Sequence, residues 1–258
     1  MLNRSLRRFT LAFVLVPYAC FVYADDEPTA TPYRPSVSTP AALSQPGWLD
    51  AEFGWQRSKG GDAVRRDSLP YTLKLAFSPD WGIRLGGELQ VINKDLDGNR
   101  LSGVGDTVFV LKRRFAIDEE KAFGLEAGVK SPTAKDGLGS GKADQWLNGI
   151  FSADIGKQHL DINLIQARIG GISPDEGRWQ TTLATALSRS LNDRWGIVGE
   201  LSGSRQSGTP STAQFLTAAS YNFSKRVVFD MGLSAGLTHA SSDWTVFTGV
   251  TVLLGKVF

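Results

Sequence analysis

The chain has 258 residues, of which 41% are hydrophobic and 28 are glycine, and its formal net charge is +2. A charge so near zero gives no basic surface of the kind that nucleic-acid-binding proteins use. The length is compatible with a single all-β barrel domain.

The first 24 residues predict a secretory signal peptide. Arg4, Arg7 and Arg8 precede the apolar run LAFVLVPYACFVYA, and the small-residue pattern before Ala24 predicts cleavage there. Cleavage of a lipoprotein signal at Cys20 is the alternative. Loss of residues 1–24 removes three of the 28 basic residues, leaving 25 against 26 acidic ones, and removes the single cysteine. The mature chain therefore has no disulfide, thiolate nucleophile or cysteine-ligated metal.

Residues 25–46 are rich in Pro, Ser and Thr and follow neither the helical nor the strand period. This composition predicts a periplasmic tether or a short plug.

Residues 47–258 consist of runs that alternate apolar and polar residues with period two. Each is about as long as a tilted membrane strand or slightly longer. The twelve runs cover 47–57, 68–78, 81–92, 104–117, 122–131, 143–156, 159–170, 178–189, 194–205, 213–223, 226–238 and 243–258. They predict an all-β fold, a single antiparallel up-and-down transmembrane barrel of about 12 strands.

The connections between runs alternate in length. Tight turns such as 78–81 and 156–159 follow the even-numbered runs, and longer Gly-rich loops such as 93–103 and 131–143 follow the odd-numbered ones. Short turns in the periplasm and long loops outside the cell are typical of outer-membrane barrels. A soluble barrel or propeller is the alternative.

An aromatic residue begins several strands directly after the tight turns. Trp81, Phe123 and Trp195 each precede a Gly and an aliphatic residue, which is the position of an interfacial aromatic girdle. The last run closes the sheet against the first, with Trp244, Val246, Val250, Val252 and Leu254 facing lipid. Its terminal Phe258 predicts recognition by the barrel-assembly machinery.

Charged residues of the early strands fall on the face opposite the apolar one. The hairpin through 117–122 places Glu126 opposite Lys112 or Arg114. The lumen candidates are Lys74, Arg84, Glu88, Asp106, Lys112, Arg114, Glu126 and Lys130. Later strands present small inward residues, from Ala184 to Gly236. This arrangement predicts either a narrow polar passage or a filled interior whose charges satisfy one another.

Catalytic signals are weak. His239, Ser241 and Asp243 offer a base, a hydroxyl and a carboxylate near one strand end, as a membrane-embedded hydrolase could use. The same residues arise readily in a polar loop. We therefore predict no enzyme, no catalytic residues, no metal and no cofactor.

Five stretches are similar to a known family: YRPSVSTPAALSQPGWLDAEFGWQR, RRDSLPYTLKLAFSPDWGIRLGGE, GVGDTVFVLKRRF, FDMGLSAGL and DWTVFTGVTVLL. Over nearly the whole mature chain, from about Tyr33, they resemble the bacterial family named for meta-pathway phenol degradation, whose members are also called transporters. The resemblance implies an outer-membrane barrel that takes up aromatic or other hydrophobic compounds. It implies no catalytic residues.

Together these observations predict a channel of the bacterial outer membrane, bounded by lipid, that passively admits small molecules, including aromatic or hydrophobic ones. A non-transporting barrel with a structural or surface-binding role is the alternative, and a hydrolase is a further one. Nucleic acid is not a predicted partner.

Overall fold

The computed structural model describes residues 28–60 and 63–258, so the predicted signal peptide lies outside the described residues. Thirteen strands make up the regular structure. They are β1 (Trp48–Gly60), β2 (Ala63–Ala76), β3 (Trp81–Lys94), β4 (Arg100–Gly103), β5 (Thr107–Ala116), β6 (Lys121–Ser131), β7 (Asp144–Ile155), β8 (Gln158–Arg168), β9 (Trp179–Ser190), β10 (Trp195–Gln206), β11 (Thr212–Ser224), β12 (Val227–Gly236) and β13 (Trp244–Lys256). In the described part of the chain, no helix is long and apolar enough to cross a membrane.

The strands form one closed antiparallel barrel. Each strand from β5 to β13 pairs with the next in sequence, β13 pairs with β1, and β1, β2 and β3 continue the ladder to β5. Twelve strands close the barrel, and β4 is an addition at its edge. Closure leaves no open strand edge along the wall. The predicted up-and-down barrel of about 12 strands, closed by its last run against its first, is confirmed.

Two connections differ from the prediction. The expected loop at 93–103 contains β4, which pairs with β3 from Val91 to Lys94 and extends that hairpin beyond the barrel wall. The first two strands are also longer than their runs, because Arg57 and Arg65 both form ion pairs with Asp67 at 2.5 and 2.7 Å. The Arg57–Asp67 pair joins β1 to β2, whereas Arg65 and Asp67 lie on the same strand. Together the two pairs stabilise polar strand ends that lack the hydrophobic alternation.

The outer face of the barrel wall is apolar and the inner face is polar, which is the reverse of a soluble barrel. On β6, Phe123 and Leu125 are exposed on the outside, whereas Ala122, Gly124 and Glu126 are buried inside. The same alternation places large apolar side chains on the outer surface of nearly every strand. Apolar groups outside and polar groups inside are the arrangement of a membrane barrel.

The two ends of the barrel also differ. The connections at 77–80, 117–120, 156–157, 191–194 and 225–226 are short and lie at one end, called the turn end below; the opposite end is called the loop end. At the turn end, the backbone amides of Glu120 and Lys121 donate to Asp118, and together with the Lys121 ammonium they lower the pKa of the Asp118 carboxyl. Both chain termini of the barrel, Trp48 and Lys256, pair with each other at this end.

Candidate functional site in the barrel lumen

Residues 31–44, called the lumen segment below, lie inside the barrel. The chain is held at the turn end on both sides of them. The Ala30 amide donates to the carbonyl of Lys225 in the β11–β12 turn, and the Gly47 amide donates to the carbonyl of Ala76 at the end of β2. The lumen segment is therefore a loop that enters and leaves the lumen through the same end.

The first part of the lumen segment contacts β1 and β2. The Tyr33 amide donates to Glu52 at 2.7 Å, and the Thr31 amide donates to Asp50 at 3.3 Å. The Lys74 ammonium lies 2.6 Å from Glu52 and also donates to the Thr31 carbonyl. All three of these wall side chains are almost fully buried, so the segment replaces the water that they would otherwise bind.

Arg34 fills a notch between β1 and β13. Its guanidinium donates to both carboxylate oxygens of Asp230, at 3.1 and 3.2 Å, and to the Thr248 carbonyl at 3.3 Å. Gly54 and Gly249 are paired across the two strands at this point. A Cβ atom on Gly54 would lie 2.6 Å from the guanidinium carbon, and one on Gly249 would be closer still to Nε. The notch therefore exists only because both positions lack a side chain.

The segment then crosses to the opposite wall. The amides of Val37 and Ser38 donate to the two carboxylate oxygens of Glu200 at 3.1 and 2.8 Å, and the Ser38 hydroxyl donates at 2.7 Å. The Thr39 amide donates to Asn163 at 3.0 Å, and the Asn163 amide donates back to the Thr39 carbonyl at 2.9 Å. The Thr39 hydroxyl also donates to Asn163, at 3.2 Å. Six hydrogen bonds thus fix three consecutive residues to β8 and β10.

The returning part of the segment contacts β5, β6 and β7. The Ala41 amide donates to the Ser152 hydroxyl at 2.7 Å, and the Lys112 ammonium donates to the Pro40 carbonyl. Ala41 is fully buried and its Cα would lie 3.2 Å from a Cβ on Gly124. The segment therefore binds all sides of the barrel rather than one wall.

Lys112 and Glu126, two of the predicted lumen residues, face each other across β5 and β6. They are directly opposite in register, and the ammonium lies 3.4 Å from the carboxylate. Lys112 is thus the partner of Glu126 among the two predicted alternatives. The Lys112 ammonium and the Thr39 hydroxyl both contact Oε1 of Glu126, and the hydroxyl donates to it at 3.3 Å. The Arg84 guanidinium lies 3.6 Å from Oε2 of the same carboxylate.

The remaining predicted lumen residues lie nearer the loop end, except one. Glu88 accepts two hydrogen bonds from Arg66 at 2.8 and 2.7 Å. Lys130 lies 3.3 Å from Asp106 and 2.6 Å from Asp144. Arg114 is half-buried at the turn end, opposite Gly124. Four of the eight predicted residues contact the lumen segment directly. They are Lys74, Lys112, Glu126 and Arg84, whose guanidinium lies 5.9 Å from the centroid of the Tyr33 ring.

The sequence analysis missed four buried carboxylates that contact the lumen segment, Asp50, Glu52, Glu200 and Asp230. Glu200 and Asp230 lie on the strands that were expected to present only small residues. The alternation of β10 already indicated that Glu200 faces inward, because it lies two residues before the inward Ser202 and so shares its face. Their role could not be inferred, because it depends on a segment more than 160 residues away in sequence.

Two cavities lie in the lumen, and only the first is lined by residues of the lumen segment. The one at the turn end has a volume of about 890 Å³ and lies between the segment and the small-residue wall, which includes Ala186, Ser188, Gly196 and Ser220. The one toward the loop end has a volume of about 470 Å³ and is lined by charged groups such as Arg66 and Glu88. Both volumes are within the range of small-molecule sites.

The candidate hydrolase residues do not form a nucleophile and base pair. The Ser241 hydroxyl donates to the Ala213 carbonyl at 2.7 Å and accepts from the Ala213 amide at 3.0 Å. Ser241 is buried, whereas His239 is exposed and makes no hydrogen bond with it in the described residues. The hydroxyl is therefore used to hold the β12–β13 connection against β11.

Known structures resemble this barrel. An outer membrane channel from Pseudomonas putida F1 matches with a TM-score of 0.65 and 13% identity, covering 83% of this chain and 98% of that one. The NanC porin matches with a TM-score of 0.58 and 8% identity, covering 80% of this chain and 100% of that one. This chain has the fold of an outer-membrane β-barrel.

A third similar structure is the CymD monoaromatic hydrocarbon channel, with a TM-score of 0.50, 9% identity, and coverage of 83% of this chain and 90% of that one. No family model and no curated protein matches the sequence. At such low identities, the similarity of this outer-membrane barrel to its neighbours extends to the fold alone.

Proposed function

We propose that the protein is a channel of the bacterial outer membrane that admits small molecules passively. The observation that carries this proposal is the polar lumen, which holds cavities of about 890 and 470 Å³. A barrel with a purely structural role would need neither cavity, because small barrels can fill their interior with side chains.

The outer surface supports the location in the membrane. Its apolar residues, such as Phe109, Leu125, Leu183 and Phe229, are between 46% and 53% exposed, and in water such a surface would aggregate. Lipid would cover them, with the short turns in the periplasm and the loops outside the cell. Assembly would use the terminal strand β13 and Phe258, which follows it.

The proposed solutes are small molecules that include aromatic or other hydrophobic compounds. Two observations support this class: the resemblance to the family named for phenol degradation, and the fold similarity to a channel whose name specifies monoaromatic hydrocarbons. The turn-end cavity has small wall residues such as Ala186 and Gly196, which leave room for a flat ring. The sequence shows no nucleotide-binding motif, so transport of these solutes would follow their concentration gradient.

We further propose that the mature chain is divided into a plug and a barrel. After removal of residues 1–24, residues 25–46 would form a periplasmic tether or plug and residues 47–258 the barrel. The contacts of the lumen segment with Glu52, Glu200 and Ser152 on three sides of the wall support this division.

Planar-bilayer conductance and liposome swelling test the channel. The purified mature chain should give small conductance steps in KCl, and a variant lacking residues 28–44 should give larger ones and admit arabinose faster. Heat-modifiable gel migration should be the same for both chains, which controls for assembly. If neither chain conducts or admits solute although both are assembled, the protein is a non-transporting barrel with structural or surface-binding loops.

A further inference from the structure

Two buried carboxylates of the wall have no cation from the wall as a partner. Among the described residues, Asp230 forms an ion pair only with Arg34 of the lumen segment, at 3.1 Å. Glu200 is 1% exposed and is bound by Val37 and Ser38, also of the segment. An unpaired buried charge is costly. The groups that stabilise these two carboxylates are supplied by the lumen segment and not by the barrel wall.

The charges that contact the segment do not balance. Five carboxylates bind it, those of Asp50, Glu52, Glu126, Glu200 and Asp230. In the described part of the chain, the wall cations in the same layer are Lys74, Arg84 and Lys112. The wall therefore carries a net charge of about −2 around the segment, and Arg34 offsets half of it.

Arg34 shows what kind of group the wall accepts at this depth. Its guanidinium is bound by the Asp230 carboxylate and the Thr248 carbonyl, and it lies in the notch at Gly54 and Gly249. Every polar atom of the wall that touches this guanidinium is an acceptor. The notch is thus shaped and charged for a planar cation.

We propose that the open lumen selects cations, and that Glu200 and Asp230 determine this selectivity. With the segment displaced, the two carboxylates line the pathway without a countercharge, and small ammonium or guanidinium solutes enter in preference to anions. This inference rests on the proposed channel function and adds the charge of the preferred solute to it.

Coulomb's law gives the size of the effect. One unpaired carboxylate about 7 Å from an ion path favours a monovalent cation over a monovalent anion roughly sevenfold in water. Salt screens this interaction, since the Debye length falls from about 10 Å at 0.1 M to about 3 Å at 1 M. The selectivity should therefore be stronger in dilute KCl.

Reversal potentials across a KCl gradient test the proposal in the variant that lacks residues 28–44. The expected permeability ratio of K⁺ to Cl⁻ is about sevenfold or more at 0.1 M, and it should fall toward 1 when Glu200→Gln and Asp230→Asn are added. Glu200→Asp is the matched control, because it keeps the charge and should keep the selectivity.

A second variant tests the same point in the full chain. Arg34→Gln keeps the segment but leaves Asp230 without its cation, so the permeability ratio should rise above that of the unchanged protein. The selectivity proposal would be wrong if the deletion variant conducts without preferring K⁺ to Cl⁻. It would also be wrong if Glu200→Gln and Asp230→Asn leave the permeability ratio unchanged. Neither result would contradict the channel function. Absence of current in every assembled variant would instead overturn the channel function beneath it.

Discussion

Ser38 donates two hydrogen bonds to the same oxygen of Glu200, from its amide at 2.8 Å and from its hydroxyl at 2.7 Å. The two residues are 162 positions apart, one in the lumen segment and one on β10. Hydrogen bonds to a charged acceptor each contribute about 1.5–3 kcal/mol. This contact therefore fixes the crossing of the segment more firmly than neutral pairs would.

Glu200→Ala should loosen the segment without dismantling the barrel. The substitution removes the acceptor of the Val37 and Ser38 amides, and each buried amide left unsatisfied costs about 1–3 kcal/mol. We expect faster proteolysis between residues 31 and 44 and a higher conductance. Ser202→Ala on the same strand is the control, and equal proteolysis of the two variants would contradict the expectation.

Gly54→Ala should displace Arg34 and open the lumen in part. The new methyl group would lie 2.6 Å from the guanidinium carbon, so the guanidinium must shift, and we expect its contact with Asp230 to weaken. We expect larger conductance steps with unchanged assembly. Gly149→Ala is the matched control, because nothing lies within 4 Å of its Cβ position on the outer face; a similar conductance of both variants would show that the notch does not hold the segment.

Removal of one member of the Lys112 and Glu126 pair should destabilise the barrel more than removal of both. Glu126→Ala leaves the buried Lys112 ammonium without its carboxylate, at a cost of about 3–5 kcal/mol. The double variant Lys112→Met with Glu126→Leu should recover most of this loss. The temperature at which heat-modifiable migration is lost measures both, and additive losses would contradict the pairing.

Ser241→Ala should lower the stability of the barrel modestly and should not change the rate of lipid-ester hydrolysis. The hydroxyl is bonded to both backbone groups of Ala213, and their loss should cost about 1–3 kcal/mol because the site is buried. Release of fatty acid from a lipid ester is expected to be at background level in both chains. Measurable release that disappears in this variant would restore the hydrolase alternative.

Phe258→Ala should reduce the assembled fraction in cells. Phe258 is 61% exposed and follows β13, while the neighbouring Val257 amide donates to the Gly47 carbonyl. The barrel contacts of the ring are thus few, and a loss of assembly would reflect recognition rather than packing. Thermal stability of the fraction that does assemble should be unchanged, and equal yields in membranes would argue against a role in assembly.

The register of the hairpin that holds Glu126 could be limited from sequence to two alternatives, with Lys112 or Arg114 as its partner, because it depends on short-range rules. The alternation of β6 assigns Phe123 and Leu125 to one face and Glu126 to the other, and the turn at 117–120 limits which residues can pair across it. The same period-two rule predicted the closed barrel and the outward face of β13. It failed at β4 and at the ends of β1 and β2, where ion pairs and hairpin continuation, not apolar alternation, maintain the strands.

The sequence by itself determined the barrel, since each strand carries its own alternation and needs only its neighbours to pair. Only the tertiary structure decided what lies in the lumen. Arg34, Ser38 and Ala41 have no periodic pattern, and their partners Asp230, Glu200 and Ser152 lie on distant strands that converge only when the barrel closes. The role of Gly54 could likewise not be inferred from sequence, because the Arg34 guanidinium contacts it only in the closed barrel.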